Sequence, residues 1–290
     1  MELTNIQEQM DEKWMIIQWA LGLGMIALFI GWKQGLLKSF KWMTPPVIRG
    51  YEVLLAFFVF LFFEIILIPM IALVFLKLFG SHQVQIHHLS NLTKFWINLF
   101  VVLGGFIGIV LMIFRLDPTR RKLLFQQTSD PWFKNFAFGI LLWCVTYPFL
   151  IAFSESVGLF VLYFFQYTAI DQIAVANMKQ LMAHPLLFKL TALEIVTIVP
   201  FTEEVLFRGF LQNWLKSKWK HPVLSIMVSA AVFSLFHFSF QYGLTNIELL
   251  SSLFLMGCVL GWVYERQHSL WASIGLHSFF NMMSIIFLME

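Results

Sequence analysis

The sequence predicts an all-α fold, a polytopic membrane helical bundle of about eight transmembrane helices. Three observations carry this. The 290-residue chain is 59% hydrophobic and only 12% charged, whereas soluble domains carry about a quarter charged residues. Its apolar stretches reach about 20 residues, the length an α-helix needs to cross a bilayer. Period-2 alternation is absent, which argues against a membrane β-barrel.

Eight stretches qualify as spans: 14–31, 52–79, 95–114, 134–165, 187–213, 222–240, 247–264 and 268–288. The first follows an acidic segment, and no A-x-A-like cleavage site follows it, so it is predicted to be a retained helix. The second and fourth are long enough to tilt or to run beyond the membrane. In the third, Gly104 and Gly108 have the spacing of close helix packing. Between the fourth and fifth, residues 170–182 carry apolar side chains at helical spacing, predicting a helix on the membrane surface. Asn91-Leu92-Thr93 is an outward-facing sequon, meaningful only in a glycosylating host.

Orientation follows from the basic residues. Thirteen lie on one side: Lys33, Lys38, Lys41 and Arg49; Arg115, Arg120, Arg121, Lys122 and Lys134; Lys216, Lys218 and Lys220; and Arg266. The other side has only Lys13, Lys77, Lys94, Lys179 and Lys189. This bias predicts cytoplasmic basic loops and both termini outside. Trp32 and Trp42 flank lysines, as headgroup-level residues do. No basic patch is interleaved with aromatics, so nucleic acid is not an expected partner. Cys144 and Cys258 lie in apolar runs without CxxC spacing and read as buried small hydrophobes.

The remaining question is why spans hold charges, which lipid does not satisfy. Glu64, Glu155 and Glu194 stand singly and read as polar contacts between helices, Glu194 near the outer end of its span, where water could reach it. The stretch 200-PFTEEVLFRGF-210 is different, with Glu203, Glu204 and Arg208 within six residues. Glu204 and Arg208 are four apart and share a helix face, so they can pair. Glu203 is turned by about 100° and points elsewhere. Two adjacent carboxylates in low dielectric tend to titrate apart, one way to make a base. Pro200 suits a first helical turn and is predicted to break the span just before this group.

Two later spans add His237, in 233-FSLFHF-238, and His277 with Asn281 at i,i+4 spacing. The economical arrangement is one shared wet cavity. Such a set suits water activation by a carboxylate. The histidines could bind a divalent metal with a glutamate, or donate with the asparagine to an oxyanion without one. Residue types leave both open. The predicted spans also place Glu203 and His237 about 12 Å apart in height, a gap that tilt or shifted boundaries must close.

The order Glu203-Glu204-x-x-x-Arg208, Phe233-x-x-x-His237, His277-x-x-x-Asn281 resembles the CPBP family of intramembrane proteases. That family includes the type II CAAX prenyl proteases and the Abi, bacteriocin-processing and immunity proteins. The resemblance covers the last four spans. It implies one integral membrane domain, with accessory helices in 1–186 and a protease core in 187–290. It implies a glutamate, Glu203 or Glu204, that activates water, with Arg208 orienting a glutamate. His237 and His277 would be metal ligands or oxyanion stabilisers, and Asn281 an oxyanion donor. A tentative metal set is Glu203, His237 and His277, holding zinc. The implied substrate is a membrane-associated or amphipathic peptide or protein, and the implied setting a bacterial plasma membrane. Two other function classes use such residues. An ion-coupled transporter also needs intramembrane charges, but no inverted repeat is visible. A non-proteolytic adaptor would not need all six polar groups.

Overall fold

The computed structural model describes residues 2–36, 38–71, 74 and 91–289. Its elements are α1 (Glu2–Lys33), α2 (Gly50–Leu61) running into a π-helical segment (Phe62–Leu67), α3 (Asn91–Arg115), α4 (Pro118–Phe125), α5 (Trp132–Phe165) and α6 (Ile173–Leu181). Then come α7 (Pro185–Glu204), a second π-helical segment (Val205–Gln212), α8 (Asn213–Trp219), α9 (Pro222–Leu235), α10 (Thr245–Gln267) and α11 (Leu270–Leu288). Among the described residues seven helices are long and apolar enough to cross a membrane. A helical bundle is what a bilayer demands, because each helix satisfies its own backbone. The predicted end of the second span, with Lys77, lies outside the described residues.

Three sequence expectations need correction. The sixth predicted span, 222–240, is a helix of only 14 residues, Pro222–Leu235. At about 1.5 Å per residue it is about 21 Å long, short of a bilayer core. Pro200 does not break its span: α7 runs through it, and Pro185 occupies the first turn instead. Cys144 is exposed rather than buried.

The expected height mismatch is not seen, because Glu203 and His237 line one cavity.

The bundle centre is the second π-helical segment, in which every residue from Val205 to Gln212 is buried. Widening a helical turn leaves carbonyls poorly bonded. Here the Asn213 amide donates to the carbonyls of Arg208 and Gly209, at 3.2 and 2.9 Å. Around this segment α2, α3, α9, α10 and α11 close a core containing Phe207, Phe210, Phe233 and Tyr264. The crossing of α5 and α11 depends on two glycines. A Cβ on Gly139 would lie 2.0 Å from the Ala272 carbonyl oxygen, and one on Gly275 would lie 2.3 Å from that of Phe136. Gly104 and Gly108 pack α3 on α2 and the π-helical segment that follows it, Gly108 against Val59 and Phe63 and Gly104 against Phe63 and Ile68, as their spacing predicts.

The basic loops are knit together at one end of the bundle. Arg266 donates to the carbonyls of Gly35 and Leu36. Gln127 donates to Thr44, and Arg120 bonds both the Val47 carbonyl and Glu52. Asp117 caps α4 through the Arg120 amide, and these bonds hold its carboxyl below the usual range. Lys216 is not a loop cation: it is buried and paired with Glu265. The single glutamates find distant partners. Glu155 bonds Lys13 at 2.6 Å, fastening α1 to α5, and Glu64 lies in the first π-helical segment against Gly105. The surface helix exists as α6, but Met178 and Leu181 are buried against Phe188 and residues of α11, not turned to lipid.

Candidate active site

The carboxylates sit at the last residues of α7, where the 100° rotation between neighbours sends them in different directions. Glu204 is fully buried behind the wall. Its Oε1 accepts from Arg208 Nη1 and faces His277 Nδ1, each at 2.9 Å. The i,i+4 pair expected from spacing is therefore present. Arg208 is as buried as its partner; besides the Gly257 carbonyl, it lies over the Phe233 ring, 4.8 Å from its centre. The like-charge problem of two adjacent glutamates is thus reduced, because one has its own cation.

Glu203 keeps its side chain 18% exposed, with Oε2 3.6 Å from His277 Nε2. His277 thus stands between the two carboxylates. A carboxylate facing Nδ1 fixes the proton on that nitrogen. His237 lies in the turn after α9, its Nδ1 3.1 Å from the Phe233 carbonyl. A carbonyl only accepts, so Nδ1 carries the proton and Nε2 is left for the cavity. Asn281, one turn after His277, donates one amide N–H to the Ile195 carbonyl at 3.0 Å. Its second N–H and its Oδ1 are not used by that bond. The Phe233 ring packs edge-on against both imidazoles, at 5.1 and 6.0 Å between centres.

Glu203, His237, His277 and Asn281 all line one cavity of about 560 Å³, walled by α3, α6, α7, α10 and α11. Glu204 and Arg208 are absent from its lining and form the layer behind. The arrangement can activate water: a carboxylate and imidazole nitrogens face it, and an amide can meet developing negative charge.

A metal site is a separate test. Tetrahedral zinc needs converging donors, usually three from the protein. Among the described residues no three His, Cys, Asp or Glu side chains gather closely enough to hold a metal ion. Glu203, His237 and His277 share the cavity without forming such a set, so these side-chain positions do not fit the tentative ligand assignment.

Sequence reasoning gave Phe233 no task, yet it separates both histidines and covers Arg208. It read Glu194 as a polar contact between helices, near a helix end that could be wetted. The contact is present, with Asn98 of α3 donating to Glu194 at 3.2 Å, but Glu194 is only 3% exposed, in the cavity wall. The signal available was polar: Asn98 and Glu194 are both hydrogen-bonding residues inside apolar spans.

Residues 185–283 match the family model described as Type II CAAX prenyl endopeptidase Rce1-like. The match takes in all six motif residues and agrees with the resemblance their order carries. No curated protein and no solved structure matches the chain.

Proposed function

We propose that this chain is an intramembrane endopeptidase that hydrolyses a peptide bond of a membrane-associated or amphipathic substrate. The observation that supports it most is the division of labour between adjacent glutamates: Glu203 lines the cavity with His237, His277 and Asn281, while Glu204 is held behind by Arg208. The family match over 185–283 supports peptidase chemistry at the same residues.

In this reading Glu203 is the general base. It takes a proton from water; the water oxygen bonds to the scissile carbonyl carbon, and the C=O pair moves onto oxygen. The free N–H of Asn281 donates to that oxyanion. His237, with Nδ1 anchored on the Phe233 carbonyl, presents Nε2 to the reacting group. As the tetrahedral species collapses, the C–N bond breaks and protonated Glu203 gives its proton to the departing nitrogen. His277 is held by Glu204 at Nδ1, which leaves the Nε2 lone pair beside Glu203 to accept a hydrogen bond from the attacking water. No step needs a metal.

The basic end faces the cytoplasm in this reading, with the termini outside, in a bacterial plasma membrane. Peptide maturation or self-immunity against a bacteriocin are roles such an enzyme could serve. Comparative proteomics of membrane peptides tests the activity. Fragments present with the wild type and missing with Glu203→Ala support it; identical peptide sets from equal amounts of folded protein overturn it.

A further inference from the structure

The cavity extends well beyond the proposed chemistry. At its far end from the basic loops, its wall includes Glu194 on α7 and both Lys94 and Asn98 on α3. Glu194 is 3% exposed, and its Oε1 accepts from Asn98. Its Oε2 is buried with no hydrogen-bond partner among the described residues. Lys94 lines the same cavity but is exposed and makes no ion pair with Glu194 within 4 Å.

A buried carboxylate oxygen without a partner is costly to keep. Its chemistry accepts a hydrogen bond, and a positively charged donor satisfies it best. An exposed lysine is screened and solvated and contributes less at this point than the buried carboxylate beside it. The distance along α7 adds a register. Glu194 precedes Glu203 by nine residues, about 13 Å of helix rise and about half a turn around the helix. An extended peptide covers the rise alone in about four residues at ~3.3 Å each, and the half-turn adds about one or two more.

We infer that Glu194, with Asn98, forms a specificity subsite for a basic side chain of the substrate, about four to six residues from the scissile bond. This rests on the endopeptidase reading and names the substrate feature that the same cavity selects. Glu194 is a specificity residue here, too far from Glu203 to touch the reacting atoms.

The test uses a series of synthetic amphipathic peptides, identical except for one lysine moved through eight positions, presented to the full-length protein in liposomes. Cleavage sites and rates are read by mass spectrometry. The expected result is a preference of about tenfold or more for lysine about four to six residues from the cut. Glu194→Gln should abolish the preference and leave cleavage of the lysine-free peptide, while Glu194→Asp should retain part of it. A wild-type enzyme that cleaves every lysine position equally overturns the subsite, as does a preference that survives in Glu194→Gln. If Glu194→Gln does not fold, the wild-type profile decides by the same criterion. Photo-cross-linking of the series to Glu203→Gln separates this inference from the activity. Cross-linking to α3 or α7 that depends on the lysine position, without cleavage by the wild type, upholds the subsite and sinks the endopeptidase reading.

Discussion

The Glu204–Arg208 pair gives the sharpest energetic prediction. Both side chains are at most 1% exposed, so solvent screening does not discount the pair. Arg208→Met removes the 2.9 Å ion pair, the bond to the Gly257 carbonyl and the contact over Phe233. It also leaves Glu204 charged, with only His277 as a partner. Breaking a buried pair from one side costs about 3–5 kcal/mol. Glu204→Gln should cost less, about 1–3 kcal/mol, since the amide can still accept from Arg208. In the double variant neither charge is left uncompensated. Its destabilisation should fall short of the sum of the two singles by about 2 kcal/mol, within the range of coupled neighbours. The assay is reversible unfolding in mixed micelles, followed by tryptophan fluorescence, for wild type, both singles and the double. Additivity within about 0.5 kcal/mol would mean that the two side chains do not depend on each other, and would refute the picture of a paired layer behind the cavity.

Other expectations follow from single contacts. Asn281→Ala should lower kcat by about 10²–10³ with little change in KM, as loss of one oxyanion donor does; steady-state kinetics on any cleaved peptide checks it. Gly275→Leu should prevent stable folding, because even a Cβ there lies 2.3 Å from the Phe136 carbonyl oxygen; detergent-stable yield by size-exclusion chromatography reads this out. Exhaustive chelation should leave the cleavage rate within about twofold, since no step in the proposed chemistry passes through a metal; a loss restored only by added zinc would contradict that. Lys13→Ala should cost about 1–3 kcal/mol, since its pair with Glu155 is only about one-fifth exposed and the variant leaves that carboxylate partly buried without its cation; thermal unfolding of the variant measures it.

The helical class and most of the site were legible because membranes restrict the choices. Long apolar runs have few readings in a bilayer, and charges within them stand out against that background. The i,i+4 rule placed Glu204 on Arg208 and put His277 and Asn281 on one face, because those relations are local. What was not legible depended on packing between distant segments. The end of α9 at Leu235 has no Gly or Pro marker, and the apolar run continues through Phe236 and Phe238. The π-helical segment at Val205–Gln212 requires Asn213 to fold back onto two carbonyls, which residue types do not announce. Which glutamate faces the cavity depended on where α11 delivers His277, 73 residues further along. Glu194 makes the interhelical contact its position suggested, but hydropathy could not show that α3 and α6 close over it.

The central claim is that Glu203 activates water while Glu204 holds the structure. The most direct measurement is the cleavage rate of Glu203→Gln, taken beside its unfolding midpoint. The account predicts a loss of about 10²–10⁴ in kcat, the usual worth of a general base, with the midpoint unchanged. A Glu203→Gln protein that unfolds like wild type and cleaves at the wild-type rate would contradict it.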